Sequence, residues 1–267
     1  MKNSRLKEVI QAEHHRAWTG DSRFRRQDAQ YVFPYHYLPD ITLDGIVQIH
    51  QRLGWGLAYL TYMTYVRDRI VSLKPRSVLD VGCGDGRLLH MLADIVPVRA
   101  GVDLSARAIA FAEAFNPDVE LFNCSVADVP GTFDLVTCVE TLEHVPDTEL
   151  PEFVSSLHDR LVRGGALILS VPTVLQPLSG KHWRHYTQEL LEAQLAPYFS
   201  VLETVWVFRQ SRLSRFLNRL LCNRVFVIEH NGVRKAIWRI HRRWSFLASS
   251  KDGLHLVALC RTARDRS

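Results

Sequence analysis

Short apolar runs alternate along the chain with segments whose apolar residues recur at helical spacing. The runs predict strands and the periodic segments predict helices. Because strands that alternate with helices build parallel sheets, the pattern predicts an α/β fold with helices on both faces. The expected strands are residues 77–81, 98–103, 119–123, 133–138, 165–171, 200–207 and 254–261. The expected helices are residues 86–95, 105–114, 147–161 and 187–196, with Ser105 and Thr187 as N-caps.

Two regions lie outside this alternation. Residues 43–73 carry apolar and aromatic residues at helical spacing, which predicts one or two helices with a candidate break at Gly54 and Gly56. Residues 208–250 separate the last two strands and predict two amphipathic helices. Their apolar faces are expected to comprise Leu213, Phe216, Leu217, Leu220 and Leu221, and then Val233, Ile237, Ile240, Trp244 and Leu247. The expected organisation is an N-terminal segment and helical cap over residues 1–72 and a core over residues 73–267 that contains the insertion 208–250.

The composition favours one compact α/β domain with appendages, because 47% of the 267 residues are hydrophobic and 23% are charged. No apolar run approaches the length of a membrane-spanning helix, and residues 1–26 lack the apolar stretch of a secretory signal. Five scattered cysteines without a CxxC pair indicate reduced thiols. Together these features predict a cytoplasmic protein.

The positive charge is concentrated in the expected insertion. Residues 207–245 contain ten Lys and Arg and one acid, Glu229, a net charge of +9, whereas the other 23 basic and 27 acidic residues give −4. The two helices could cover an acceptor pocket, contact a membrane surface with arginines toward anionic lipid, or simply present a solvated charged face. Nucleic-acid binding ranks last, because no RNA-binding module is recognisable.

A glycine-rich loop follows the first expected strand. Val78 to Leu89 reads V-L-D-V-G-C-G-D-G-R-L-L, so Asp80 precedes glycines at positions 82, 84 and 86. Glycines allow the backbone to approach a ligand closely. The D-x-G-x-G-x-G spacing differs from the G-x-G-x-x-G of dinucleotide-binding units and from the P-loop, which excludes a dehydrogenase interpretation.

An acidic residue ends the second expected strand, and an acidic and histidine-containing segment follows the fourth. Asp103 can accept two hydrogen bonds from a ribose diol. Residues 133–147 read F-D-L-V-T-C-V-E-T-L-E-H-V-P-D. With the glycine loop, this segment resembles class I S-adenosylmethionine (SAM)-dependent methyltransferases, and its LEHV motif resembles those of ubiquinone-biosynthesis O-methyltransferases and many small-molecule methyltransferases.

The resemblance implies a Rossmann-like fold, a seven-stranded mostly parallel sheet with an antiparallel last strand, and SAM as cofactor. It places the methionine end of SAM at the glycine loop, the ribose at Asp103 and the adenine at residues 124–130. Many members of the family carry an acidic residue where this chain has Ser125, which keeps a hydrogen-bonding side chain but lacks the charge. The implied cofactor-binding residues are Asp80, Gly82, Cys83, Gly84, Gly86, Asp103, Leu104, Ser125, Val126 and Glu140.

The candidate catalytic residues lie after the fourth and fifth strands. In a helical turn Glu140, Glu143 and His144 share a face, so His144 could act as general base, or the three could bind a divalent cation such as Mg²⁺. The E-x-x-E-H pattern resembles a magnesium site of small-RNA 2′-O-methyltransferases that a later histidine completes. His182 and His185 could supply a base, hydrogen-bond donors to the substrate, or the later histidine ligand of such a metal site. Alternatively, the two glutamates only position the loop. The expected catalytic residues are Glu140, His144, His182 and His185, and the expected metal ligands are Glu140, Glu143, His144 and His185.

The sequence therefore predicts methyl transfer from SAM to a small molecule. The expected acceptor atom is a hydroxyl oxygen of a sugar, a phenol or a lipid-linked intermediate. N-methylation, RNA 2′-O-methylation and a SAM-binding protein without transfer activity are the alternatives. The acid and histidine residues argue against the last of these, because a pure binder needs no acid–base groups. Contact with a membrane or a lipid-like substrate through residues 212–247 stays open, as do the acceptor, the need for a metal and the oligomeric state.

Overall fold

A seven-stranded sheet forms the centre of the protein. The computed structural model describes residues 22–28, 39–41, 47–49, 53–221, 228 and 230–262. The strands of the sheet are β3 (Ser77–Val81), β4 (Val98–Val102), β5 (Glu120–Phe122), β6 (Phe133–Val139), β7 (Leu161–Pro172), β8 (Phe199–Arg209) and β9 (Gly253–Thr262). Their order is β5-β4-β3-β6-β7-β9-β8, and only β9 runs antiparallel to its neighbours. The predicted fold class is therefore confirmed.

The helices that the structure describes cover both faces of this sheet and form the predicted insertion. They are α1 (Ser22–Asp28), α2 (Leu53–Leu73), α3 (Arg87–Met91), α4 (Ala106–Phe115), α5 (Leu150–Asp159), α6 (Gln188–Leu195), α7 (Arg212–Leu221) and α8 (Asn231–Trp244). Both predicted N-caps are confirmed, because Ser105 accepts from the N–H of Ala108 and Thr187 accepts from the N–H of Leu190. Over the described ranges, no helix has both the length and the apolar character needed to cross a bilayer.

The sheet is buried on both faces because successive strand residues point to opposite sides. In β3, Val78 packs in the apolar cluster that contains Val66 and Ile70 of α2. Its neighbour Leu79 packs in the cluster on the other face, which contains Val154 of α5. The near-continuous apolar strands that the sequence shows are typical of such a two-sided core.

The N-terminal region departs from the sequence prediction. Helix α2 begins at Leu53 and continues through both Gly54 and Gly56 without a break. Val47–Ile49 is strand β2, paired antiparallel with β1 (Pro39–Ile41), so the expectation of helix from residue 43 is wrong there. Residues 1–21 of the predicted N-terminal segment lie outside the described residues. Val47 and Ile49 are β-branched, and such residues favour a paired strand over a helix in this short stretch.

The insertion projects from the carboxyl edge of the parallel strands. Strand β8 runs in the same direction as β7, since both pair antiparallel with β9. In the register, Arg209 at the end of β8 lies opposite Gly253, and Pro172 at the end of β7 lies opposite His255. In α/β sheets this edge is where ligands bind. The insertion and the loop after β7 therefore lie at the same edge as the predicted site residues.

Candidate active site

The loop after β3 requires glycine for two reasons, its left-handed backbone conformation and the close approach of neighbouring side chains. Gly82, Gly84 and Gly86 have φ angles of 71°, 55° and 73°, in the left-handed region. A Cβ at Gly82 would lie 2.3 Å from Oγ1 of Thr141, and one at Gly86 would lie 2.6 Å from Nδ2 of Asn116. The loop therefore packs closely against the segment after β6 and against the end of α4, which fixes its shape.

The carboxylate of Asp103 is held in place at the end of β4. Its Oδ2 accepts from the N–H of Gly84 at 2.9 Å and its Oδ1 accepts from the N–H of Ser105 at 2.8 Å. Leu104, the half-buried residue between, follows the same turn. Because an ionised carboxylate can accept more than two hydrogen bonds, this oriented group fits a ribose diol. The loop and Asp103 together fit the nucleoside cofactor that the sequence implies.

Asp80 and Cys83 lie deeper in the same half of the site. The carboxylate of Asp80 is 3% exposed and accepts from Oγ1 of Thr137 at 2.6 Å. Burial raises the pKa of Asp80 to about 7. The N–H of Cys83 donates to the carbonyl of Val102 at 3.1 Å, and burial raises the pKa of its thiol. Asp80 is thus a buried acid whose ionisation a nearby cationic group would favour.

Ser125 and Val126 begin the short 3-10 turn Val126–Asp128. The hydroxyl of Ser125 accepts from the N–H of Ala127 at 3.3 Å and caps this turn. Val126 is buried, whereas Ser125 is exposed at the carboxyl edge after β5. The structure thus gives Ser125 a local capping role in addition to its predicted place beside an adenine.

Glu140 follows β6 in the left-handed region, with a φ of 50°. Its Oε1 accepts from Oγ of Ser170 at 2.9 Å, and its Oε2 lies 2.9 Å from Nδ1 of His255. The ring of His255 in turn lies 4.9 Å from the ring of Tyr62, centroid to centroid. A non-glycine residue in this conformation carries backbone strain, which is common at functional sites.

Sequence reasoning missed both His255 and Tyr62. His255 is a single histidine inside the apolar run Leu254–Cys260 of the last strand, and this interruption was a usable signal. Tyr62 lies in the aromatic segment of α2, where helical spacing alone does not show that its ring contacts His255 at the beginning of β9. Burial, followed by the charge of Glu140, raises the pKa of the Tyr62 hydroxyl.

Glu143 and His144 lie in the 3-10 turn Leu142–His144. The carboxyl group of Glu143 is 1% exposed, and its Oε2 has no hydrogen-bond partner in the described part of the chain. Burial and the charge of Glu140 raise its pKa well above the usual range. Nδ1 of His144 lies 3.1 Å from the carbonyl of Lys181, and burial lowers the pKa of His144 to about 4. The tautomer that donates from Nδ1 leaves the Nε2 lone pair available, 3.9 Å from Oε1 of Glu143.

His182 and His185 lie beside His144 in the loop after β7. The ring centroid of His182 is 4.7 Å from that of His144, and its Nδ1 is 2.7 Å from Nε2 of His185. Nδ1 of His185 lies 3.2 Å from the carbonyl of Gln176. Burial lowers the pKa of both imidazoles, to about 3 for His182. All three histidines are therefore neutral at pH 7, the form that accepts a proton or binds a metal.

One group of potential metal ligands occurs among the described residues. An oxygen of Glu143 and a nitrogen each of His144 and His182 all lie within 4.8 Å of one another. The predicted set contained Glu140 and His185 in place of His182. The carboxylate of Glu140 instead contacts Ser170 and His255. The Nε2 atom of His185 contacts Nδ1 of His182 rather than the cluster itself. Two imidazoles and one carboxylate suit a first-row transition metal better than Mg²⁺.

Arg184, which sequence reasoning also missed, connects the two loops that carry the candidate catalytic histidines. Its buried guanidinium lies 2.6 Å from Oδ1 of Asp147. It also donates to the carbonyls of Leu142 at 3.1 Å and Val145 at 2.7 Å. A planar guanidinium with several donors can satisfy all of these acceptors at once. Arg184 therefore fixes the distance between the loop that carries His144 and the loop that carries His182.

Comparisons with known proteins agree with this geometry. A family model described as a methyltransferase domain matches residues 59–219. A ubiquinone biosynthesis O-methyltransferase of Paracidovorax citrulli is 33% identical over 163 residues, which are 58% of this chain and 55% of that protein. One of Thiobacillus denitrificans is 38% identical over 109 residues, 38% of this chain and 46% of that protein. The alignments thus span about half the length of these curated relatives.

Solved structures share the fold at low sequence identity. The magnesium protoporphyrin IX methyltransferase ChlM of Synechocystis with bound SAM has a TM-score of 0.53 and 16% identity, covering 93% of this chain and 95% of that chain. The N-methyltransferase NodS of Bradyrhizobium japonicum with S-adenosylhomocysteine has a TM-score of 0.52 and 15% identity, covering 80% of this chain and 100% of that chain.

Proposed function

Because the chain belongs to the methyltransferase-domain family, we propose that it transfers the methyl group of SAM to a hydroxyl oxygen of a small molecule. The observation that carries this proposal is the meeting, at one edge of the sheet, of the glycine loop and Asp103 with the neutral imidazoles of His144 and His182. When bound, SAM supplies a methyl group on a sulfonium, which an oxygen nucleophile attacks in line. A protein that only binds SAM has no need of the imidazoles.

In this proposal the cofactor-binding residues are those of the glycine loop and of the ends of β4 and β5. Asp103 accepts the ribose hydroxyls, and its two backbone hydrogen bonds hold it ready to do so. Asp80 would bind the cationic methionine end, because an ammonium group there would stabilise its ionised form. Val126 and Ser125 would hold the adenine, and Glu140 would contact the cofactor on the side of the acceptor residues.

His144 removes the proton of the acceptor hydroxyl. Its Nδ1–H donates to the carbonyl of Lys181, which orients the ring and leaves Nε2 as the basic nitrogen. Nε2 of His144 then holds this proton. His182 lies against the same ring, and its Nδ1 contacts Nε2 of His185. Positioned acid–base groups of this kind contribute about 10²–10⁴-fold to turnover.

A second role for the same residues is metal binding. The clustering of Glu143, His144 and His182, together with the unpartnered Oε2 of the buried Glu143, favours it. A divalent cation would supply Lewis acidity, which lowers the pKa of an acceptor hydroxyl. Removal of metal with EDTA distinguishes the two roles. If EDTA abolishes turnover and Zn²⁺ or Mn²⁺ restores it, the cluster binds metal, whereas full activity in EDTA leaves His144 as a simple base.

The acceptor is a small molecule that binds at the carboxyl edge of the sheet, beside helix α2. Tyr62 of α2 meets His255 at this edge. The names of the curated relatives favour a hydroxyl over an amine, and the N-methyltransferase among the structural neighbours keeps the amine as the alternative. A lipid-like acceptor would also contact residues 212–247.

The test is a search for methylated products. Purified protein is incubated with methyl-labelled SAM and with the aqueous and lipid fractions of a cell extract, and products are identified by mass spectrometry. A methyl ether that requires His144 supports the proposal, and a methylamine moves it to N-methylation. If calorimetry shows that SAM binds but neither fraction yields a labelled product, the protein binds SAM without transferring its methyl group.

A further inference from the structure

Exposed apolar side chains are concentrated at the site-bearing edge of the sheet. Of the fourteen large apolar residues exposed in the described ranges, eight lie in the loop after β7 or between β8 and β9. They are Val174, Leu175, Leu178, Phe216, Val233, Ile240, Trp244 and Leu247. Both segments project from the carboxyl edge. Apolar exposure that gathers on one side of a molecule indicates a contact surface.

Helix α7 adds unpaired positive charge to this edge. Arg212, Arg215 and Arg219 line a groove of about 270 Å³ together with Phe216, whose side chain is 60% exposed. Within the described part of the chain, none of these three arginines has an acidic partner. The sequence prediction put Phe216 on the buried face with Leu217, but only the latter is buried. Successive residues of a helix are rotated by about 100°, which places Phe216 at the border of the apolar face. At such a border the spacing of apolar residues does not show whether a side chain is buried or exposed.

Other residues of the two insertion helices anchor the insertion to the body of the protein. Leu217 of α7 and Ile237 of α8 pack with Leu57 of α2 and Phe208 of β8 in one buried cluster. His241 of α8 is fully buried, and its Nε2 lies 2.7 Å from Oγ1 of Thr61. The exposed groups are therefore not left over from a poorly packed hairpin, because each helix also has a well-buried face.

Helix α8 presents an apolar stripe beside basic residues. Val233, Ile240 and Trp244 are spaced by seven and four residues, so they lie along one line of the helix. All three are exposed, and the guanidinium of Arg243 lies 5.3 Å from the ring centroid of Trp244. A helix with Trp and aliphatic residues on one line and arginines next to it has the composition of an interfacial helix.

We propose that this edge of the sheet, formed by α7, α8 and the loop 174–178, docks on an anionic phospholipid bilayer. The arginines of α7 contact lipid phosphates, and Phe216, Trp244 and Leu178 enter the interface. Charge complementarity supports a bilayer, since residues 207–245 carry a net charge of +9. Phosphates of a nucleic acid would meet the arginines but would leave the aliphatic side chains in water. The proposal does not depend on methyl transfer, because docking needs neither cofactor nor acceptor.

Vesicle flotation with the full chain tests the proposal. Vesicles of phosphatidylcholine with about one third phosphatidylglycerol should carry the protein upward, and pure phosphatidylcholine should not. The triple variant R212Q/R215Q/R219Q should bind on the order of 100-fold more weakly, because each basic residue near an anionic surface contributes several-fold. The matched control K74Q/R76Q/R163Q removes three exposed charges at the opposite edge of the sheet and should bind like wild type.

The apolar contribution has its own pair of variants. Leu178→Ser with Trp244→Ser should weaken vesicle binding about tenfold, whereas Phe115→Ser, at the far end of α4 and 57% exposed, should not. Circular dichroism checks that each variant is folded. Equal binding to neutral and anionic vesicles, wild-type binding by the triple arginine variant, or tighter binding to duplex DNA than to anionic vesicles would each overturn the proposal.

Discussion

The two halves of the candidate site are built in different ways. The cofactor half consists of backbone and of side chains that follow one another closely in the chain, the loop 80–86 and the turn 103–105. The acceptor half collects side chains from four distant segments, Tyr62, the turn after β6, the loop after β7 and His255. The first half is shaped by local conformation, and the second by long-range packing.

This difference assigns different consequences to mutation. A change in the cofactor half should alter SAM affinity, whereas a change in the acceptor half should alter turnover and leave SAM affinity unchanged. Glu140 belongs to both halves, because it follows the β6 strand beside the glycine loop and contacts His255.

The largest effect is expected in the acceptor half. His144→Ala should lower kcat about 10³-fold, because it removes the proposed general base. SAM affinity should stay within about twofold of wild type, measured by titration calorimetry beside steady-state kinetics. His90→Ala, which removes an exposed histidine of α3, is the matched control. Full activity in His144→Ala would remove both the base and the metal role.

The next effect concerns stability in the cofactor half. Burial raises the pKa of Asp80 to about 7 from 3.8, so the folded protein holds this proton more tightly than the unfolded chain. The stabilisation is fully present below pH 3.8 and is lost as the pH rises to about 7. Asp80→Asn keeps an acceptor for Thr137 but carries no charge.

Urea unfolding of this variant should show the pH dependence directly. Without cofactor, Asp80→Asn should be more stable than wild type by on the order of 4 kcal/mol at pH 8 and by less than about half of that at pH 5. SAM should bind the variant more weakly, because its cationic end loses a charged partner. The exposed Asp94→Asn is the control. A stability difference that is the same at both pH values would show that Asp80 is already ionised at low cost.

The sequence revealed the local features of the cofactor half, but it did not reveal the long-range contacts of the acceptor half. Glycines with positive φ and an acid at a strand end are local features, so contiguous residues reveal them. His255 and Arg184 act only through the packing of β9 and of two loops, which spacing does not report. The spacing also does not report that the side chain that clusters with Glu143 and His144 is His182 rather than His185.

A smaller effect is expected for the carboxylate of Asp103, which is proposed to bind the ribose. Asp103→Ala should weaken SAM binding about 30-fold, because it removes a charged acceptor for two hydroxyls. Turnover at saturating SAM should change little. Since the substitution also frees the N–H groups of Gly84 and Ser105, Asp103→Asn serves as a second variant that keeps one acceptor. An affinity equal to wild type in both variants would remove Asp103 from the site.

The smallest effect tests where Glu140 belongs. His255→Ala removes the imidazole that lies 2.9 Å from its Oε2, and kcat/KM for the acceptor should fall about tenfold as the carboxylate loses its orientation. His255→Gln can still donate a hydrogen bond and should restore part of this loss, which a purely structural defect would not predict. His158→Ala, on α5, is the control. If SAM affinity instead falls together with turnover in His255→Ala, Glu140 acts on the cofactor, and the last strand supports the cofactor half as well as the acceptor half.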